Sequence, residues 1–175
     1  PPFYEWFTGG KLNASYNCVD RHLPERKNQT ALIWEGTDAD ETEHITYQEL
    51  YNRVNETAAV LQDVGVEEDD VVTCHLPMVP DLPVTMLSCA RIGAPHSEVF
   101  AGFSAQALAD RIDDGSSDVV VTIDGYYRRG EFLNHKEKCD EALELAEHDV
   151  DTVLLWTRHD ELADEVEITD DDPYV

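Results

Sequence analysis

Val119-Val120-Val121-Thr122-Ile123 is an almost unbroken β-branched run. A strand with one wet face alternates apolar and polar residues. A run with almost no alternation suits a strand buried on both faces, the situation of a parallel sheet covered by helices. The flanks agree. Downstream, Lys136–Glu147 reads as a helix and Thr152–Trp156 as a strand. Upstream, Ser104–Asp114 reads as a helix stopped at Gly115, and Pro95–Phe100 as a strand. Before these come a helix over Asp81–Ile92, ending at Gly93, and a strand over Val71–Leu76. Strand and helix alternate from residue 71 onward, which implies βαβ crossovers. The predicted fold class is α/β, with a largely parallel sheet flanked by helices.

Before residue 71 the pattern differs. Asn13–Leu23 reads as a helix stopped by Pro24. Ala31–Trp34 and His44–Thr46 are short β-rich runs around a polar turn, the pattern of a hairpin. Thr46-Tyr47-Gln48-Glu49 is a capping box. The helix it opens places Tyr47, Leu50, Val54, Ala58 and Leu61 on one face, and Gly65 closes it.

In open parallel sheets, ligands bind beyond the carboxyl ends of the strands. Two loops are expected there. Phe100-Ala101-Gly102-Phe103-Ser104 joins a strand to a helix. Gly102 has no Cβ to keep a ligand from the backbone, and Ser104 suits an N-cap, where free N–H groups favour an anion. An ordinary turn before a capped helix would show the same residues. Asp124-Gly125-Tyr126-Tyr127-Arg128-Arg129-Gly130 is the second loop. A guanidinium grips phosphate through paired hydrogen bonds. A salt bridge to one of the many carboxylates would equally explain Arg128 and Arg129.

Those carboxylates dominate the composition. The 175 residues carry 38 acidic against 12 basic side chains, a net charge of −26. The acids are dispersed along the chain, which fits a solvated surface better than one docking patch. Such a surface repels itself in dilute buffer, and about 1 M salt, with a Debye length of about 3 Å, screens it. Halophilic adaptation is the expectation. Phosphate-rich polymers are repelled, so nucleic acid is an unexpected partner. Apolar runs fall far short of the roughly 20 residues of a membrane span, and no signal-peptide pattern opens the chain.

Four cysteines (Cys18, Cys74, Cys89, Cys139) lie far apart without a CxxC, and read as reduced thiols. Cys18 with His22, and His135 with Cys139, are spaced for one helix face, but each pair supplies two ligands where a structural zinc takes four. No metal site is expected from these residues. Neither a Walker-type loop, a Gly-x-Gly-x-x-Gly fingerprint nor a Gly-x-Ser-x-Gly elbow occurs.

An ordered set of short motifs covers nearly the whole chain. It begins with Tyr4-Glu5-Trp6-Phe7-Thr8-Gly9-Gly10-Lys11-Leu12-Asn13 and Ser15-Tyr16-Asn17-Cys18-Val19-Asp20-Arg21-His22. Ile33-Trp34-Glu35-Gly36, Leu76-Pro77-Met78-Val79-Pro80, Cys89-Ala90-Arg91-Ile92-Gly93-Ala94 and His96-Ser97 follow. Phe100-Ala101-Gly102-Phe103-Ser104 and Tyr127-Arg128-Arg129-Gly130 complete it. In order and spacing the set resembles the front of the acetyl-CoA synthetase family of AMP-forming acyl-CoA synthetases.

That resemblance implies a division into an N-terminal segment, residues 1–30, and the first part of an AMP-binding (adenylation) domain, residues 31–175. It implies acetate or another short-chain acid, ATP with Mg²⁺, and coenzyme A as substrates, in a cytoplasmic enzyme. It places Phe100, Ala101 and Gly102 against the coenzyme A nucleotide, and Arg128, Arg129, Gly130 and Glu131 at its phosphates. No catalytic residue is implied within the chain. Asp171-Asp172-Pro173-Tyr174-Val175 resembles the lead-in to the family's ATP loop, so the ATP and Mg²⁺ sites are expected farther on, and the chain alone is expected to be inactive. Three positions depart from the family pattern. Ala101 stands where Gly is usual, Glu131 where a second arginine is common, and Glu98 where a strand residue is apolar. A different reading is a non-catalytic coenzyme- or nucleotide-binding module with the same fold. The codons after Val175 discriminate the two.

Overall fold

The computed structural model describes Phe3, Tyr4, Trp6 and residues 8–37 and 41–158. The Asp171–Val175 lead-in, and Glu5 and Phe7 of the opening motif, lie outside the described residues.

The N-terminal part differs from the single helix expected over Asn13–Leu23. Helix α1 covers Ala14–Cys18, with the Asn13 side chain accepting from the Tyr16 N–H at 3.0 Å. At Val19 the backbone leaves the helical region (φ −122, ψ −69), and its side chain is fully buried. A 3₁₀ turn at Asp20–His22 leads into α2, Leu23–Arg26. Pro24 sits in the first turn of α2, so it opens a helix where it was expected to stop one. Its missing N–H is harmless there, because first-turn N–H groups have no intrahelical acceptor.

The expected hairpin forms from β1 (Thr30–Glu35) and β2 (Thr42–Thr46), paired antiparallel. The capping box is complete. The Thr46 N–H donates to Glu49 Oε2 at 2.7 Å and the Glu49 N–H to Thr46 Oγ1 at 3.2 Å. It opens α3 (Tyr47–Asp63), whose face of Leu50, Val54, Ala58 and Leu61 is buried.

Next come β3 (Val72–Cys74), α4 (Asp81–Ile92), β4 (His96–Glu98), α5 (Ala105–Gly115) and β5 (Val119–Ile123). The hairpin β6 (Gly125–Arg128) and β7 (Glu131–Asn134), helix α6 (His135–Leu145) and β8 (Thr152–Trp156) complete the fold. Strands β4, β3, β5 and β8 lie in that order in one parallel sheet. The run that decided the fold class behaves as a two-faced strand. Val119, Val121 and Ile123 pack in the core with α3 and α4 residues Leu61, Leu82 and Cys89. Val120 packs on the other side with Leu108 and Ile112 of α5 and Cys139 and Ala142 of α6. The connection from β3 therefore leaves over one face of the sheet and that from β5 over the other. This makes the crevice beyond the carboxyl ends of β3 and β5 the topological switch point.

Three local expectations are corrected. The ladder strands β3 and β4 are shorter than the runs Val71–Leu76 and Pro95–Phe100: one more sheet bond follows each, from the His75 and Val99 N–H groups, and the chain at Leu76 and Phe100 then lines a cavity. The left-handed cap of α5 is Ser116 (φ 47), not Gly115. Gly115 is needed for space: a Cβ there would lie 2.9 Å from Ser117 Oγ and 3.0 Å from Val71 Cγ1. Finally, the expected loop at residues 124–130 is mostly hairpin. Its two-residue tip, Arg129-Gly130, has φ of 55 and 81, the both-positive pattern of a type I′ turn. Arginine at the first tip position is not the usual Asn or Asp, which hid the hairpin from a sequence reading.

The N-terminal segment is bonded to α4. Asn13 Nδ2 donates to the carbonyls of Ala90 (2.9 Å) and Arg91 (3.1 Å). Arg91 bonds Ser15, Asp20 and Asn55 and lies over the Tyr51 ring. Among the described residues, no helix is long and apolar enough to cross a membrane.

Candidate functional site

A cavity of about 350 Å³ opens at the switch point. Its lining includes Phe100, Ala101 and Gly102 from the turn after β4, and Tyr126, Tyr127 and Arg128 from β6. The two stretches singled out from sequence thus share one cavity. Arg129, Gly130 and Glu131 stand outside its lining, at and beyond the hairpin tip.

The turn is built from the sheet outward. Val99, fully packed beside α5, continues the ladder by donating to the Cys74 carbonyl at 2.8 Å. The Phe103 N–H then closes the turn on the Phe100 carbonyl at 2.9 Å, and Ser104 Oγ caps α5 through the Ala107 N–H. Gly102 has a local reason to be glycine: a Cβ there would meet Phe100 Cε1 at 2.5 Å. The space left free by the missing Cβ is filled by the Phe100 ring, which stands edge-on to Phe103 at 5.6 Å. Ala101 is 5% exposed, so the methyl group added relative to the family pattern is largely packed.

Arg128 and Arg129 are exposed. Among the described residues neither pairs with a carboxylate, despite the excess of acid. Salt bridging, one of the two readings open from sequence, therefore does not explain them here. Glu131 is the direct ladder partner of Arg128 and shares its face of the hairpin. Glu98 lines the cavity from the edge strand, and partial burial raises its carboxyl above the ordinary range.

Other contributors were not legible. Trp34 lines the cavity, donates Nε1–H to the Met78 carbonyl at 2.7 Å, and carries the Arg158 guanidinium 4.3 Å over its ring. Arg158 also meets Glu41 at 3.2 Å. Thr37 Oγ1 donates to the Tyr127 carbonyl at 3.1 Å. Lys138 Nζ donates to the Ala101 carbonyl at 2.9 Å, and burial lowers its pKa. No sequence spacing relates residues 34, 37, 138 and 158; only the fold assembles them.

Beneath the hairpin base the rings of His75 and His135 stack at 3.9 Å, with Tyr126 edge-on to His135. Burial first, then the neighbouring His135 and Lys138, pushes His75 down to about 2. Burial and Lys138 push His135 down to about 4, against the opposing effect of the His75 backbone. Both rings are therefore neutral near pH 7. No group of three or more His, Cys, Asp or Glu among the described residues is placed to hold a metal ion.

In a doubly covered parallel sheet, the crevice at the switch point is where ligands bind. Residues 19–174 match the AMP-binding enzyme family, and the chain belongs to that family. Residues 1–18 match the acetyl-coenzyme A synthetase N-terminus. Among curated proteins the chain is 50% identical to acetyl-coenzyme A synthetase of Pyrobaculum aerophilum over 166 residues, covering 90% of this chain and 25% of that protein. It is 54% identical to that of Halorhodospira halophila over 139 residues (79% of this chain, 22% of the relative). It is 55% identical to that of Stutzerimonas stutzeri over the same length (79% and 21%). The chain thus spans about a quarter of the length of these relatives.

Proposed function

We propose that the chain is the front portion of an acetate–CoA ligase and supplies part of the seat for coenzyme A. In the complete reaction an acetate oxygen attacks the α-phosphorus of ATP and displaces diphosphate, leaving acetyl-adenylate. The coenzyme A thiol then attacks the acetyl carbonyl, loses its proton and displaces AMP. ATP and its Mg²⁺ are assigned to residues beyond this chain. Residues 1–30 are read as the leading segment and 31–175 as the start of the adenylation domain. The relatives' names support the reaction class.

The observation that carries the coenzyme assignment is Arg128: a cation without a carboxylate partner among the described residues, on the same cavity as the Phe100–Gly102 turn. In this reading Phe100, Ala101 and Gly102 lie against the nucleotide. Arg128 meets its phosphates, with Arg129, Gly130 and Glu131 shaping the tip that presents it. Charge-assisted hydrogen bonds contribute about 1.5–3 kcal/mol. Arg128→Ala in the complete protein is therefore expected to raise the KM for coenzyme A roughly tenfold or more while leaving acetate-dependent ATP–diphosphate exchange nearly intact. An unchanged coenzyme dependence would remove the assignment.

The reading includes a cytoplasmic setting, consistent with four free cysteines, and an acidic surface suited to concentrated salt. The second point predicts a higher melting temperature in molar KCl than in dilute buffer, because screening relieves repulsion within a chain of net charge −26. Equal melting in both would dismiss it.

A further inference from the structure

We propose that Lys138 is a positioning residue that sets the orientation of the Ala101–Gly102 peptide in the cavity wall; this inference rests on the reading of that turn as part of the coenzyme seat.

The turn orders itself at both ends but not in its middle. Phe103 donates to the Phe100 carbonyl, and Ser104 caps α5. The Ala101 carbonyl, in a residue only 5% exposed, needs a donor from elsewhere. Lys138 Nζ supplies it at 2.9 Å from a helix neighbouring neither end of the turn in sequence. The arm is well anchored. Cys139, the next residue, and Ala142, one turn on, are fully buried in the core shared by α5, β5 and β8. Lys138 emerges beside that packed face, half-buried itself.

Peptide planarity converts this one bond into a direction. In a trans peptide the carbonyl and the following N–H point oppositely. A carbonyl of Ala101 held toward α6 turns the Gly102 N–H away from it. Among the described residues that N–H has no backbone or side-chain acceptor, and Gly102 lines the cavity that also holds Arg128. An oriented, unpaired N–H in a residue on the same cavity as a guanidinium is suited to a phosphate or a base-edge acceptor. The lysine charge adds to the positive side of the same turn. The fall in its pKa through burial agrees with an ammonium drawn partly out of water to make this contact.

The test uses the complete protein with Lys138→Met, which keeps most of the apolar stem and removes the donor, and Lys138→Arg, which restores one. Arg128→Ala serves as the reference. Lys138→Met is expected to raise the KM for coenzyme A about tenfold, with acetate-dependent ATP–diphosphate exchange little changed and Lys138→Arg recovering most of the loss. An unchanged KM in Lys138→Met, where Arg128→Ala does raise it, overturns the role of Lys138 and leaves the coenzyme seat standing. No change in either variant overturns the seat itself. An equal fall of exchange and coenzyme response in Lys138→Met, without rescue by arginine, shows a merely structural lysine and also overturns the proposal.

Discussion

The two walls of the cavity are held in different ways. The Phe100–Gly102 turn is closed by its own backbone, capped by Ser104 and tied to α6 by Lys138, and it sits on the packed Val99. Among the described residues the β6–β7 hairpin forms a separate two-stranded sheet, and its tip is exposed from Tyr127 to Glu131. Its base is fixed by Asp124, which accepts from the Gly125 N–H at 2.7 Å and the Arg158 N–H at 3.0 Å. Farther out, Thr37 reaches the Tyr127 carbonyl. In the proposed coenzyme seat, a preformed turn and a more lightly held cationic arm would divide the work. The turn would give a shaped surface at little ordering cost, and the arm would bring charge that solvent keeps hydrated until a ligand arrives.

The larger expected effect lies where the walls meet, at the His75–His135 stack. His75 follows β3, and His135 opens α6 directly after the arm. Around them are Lys138 from α6, Tyr126 from β6 and the Asp124 carbonyl, which accepts from the His135 N–H at 2.9 Å. In the unfolded chain each histidine takes a proton near its ordinary 6.5; in the fold they resist down to about 2 and about 4. Depressed folded values give stability that is present above about 6.5 and lost as pH falls from there toward the folded values. The slope reaches up to about 1.4 kcal/mol per pH unit for each histidine. Neutralising surface carboxylates acts oppositely, by relieving repulsion, so the readout is a difference between proteins. Urea melts from about pH 7 to about pH 5 should show a steeper acid loss in the native sequence than in the His75→Phe, His135→Phe double variant. Parallel slopes would mean that the stack does not govern the junction.

How much of this was legible follows the same division. The fixed wall was readable because its signals are local or periodic: the Val119–Ile123 run, a serine before a helical pattern, and a glycine in a turn. The capping box at Thr46 and Glu49 was read for the same reason. The arm reads as a loop in the sequence because Arg129 does not announce a type I′ tip. Arg128 was found by its charge in an acid-rich chain and by family resemblance, not by any geometry. Lys138, Thr37, Trp34 and Arg158 carried no local mark. Each acts on a residue from 37 to 124 positions away, a distance at which periodicity and turn chemistry say nothing. Pro24 failed in the opposite sense. A proline stops a helix from its interior, but the fold uses Pro24 in a first turn.

The smallest effect probes the arm alone. Thr37 Oγ1 donates to the Tyr127 carbonyl in an exposed setting, so the net contribution is about 0.5–1.5 kcal/mol. Thr37→Val keeps the branched shape and removes the donor. It cannot much alter global stability, because β5 and its two cores do not depend on Thr37. It should instead raise the opening of the hairpin, quickening amide exchange in residues 125–134 by up to roughly tenfold while leaving residues 119–123 unchanged. Exchange that quickened equally in β5 would mean the arm and the sheet open as one unit. The contrast between a fixed wall and a lightly held one would then collapse.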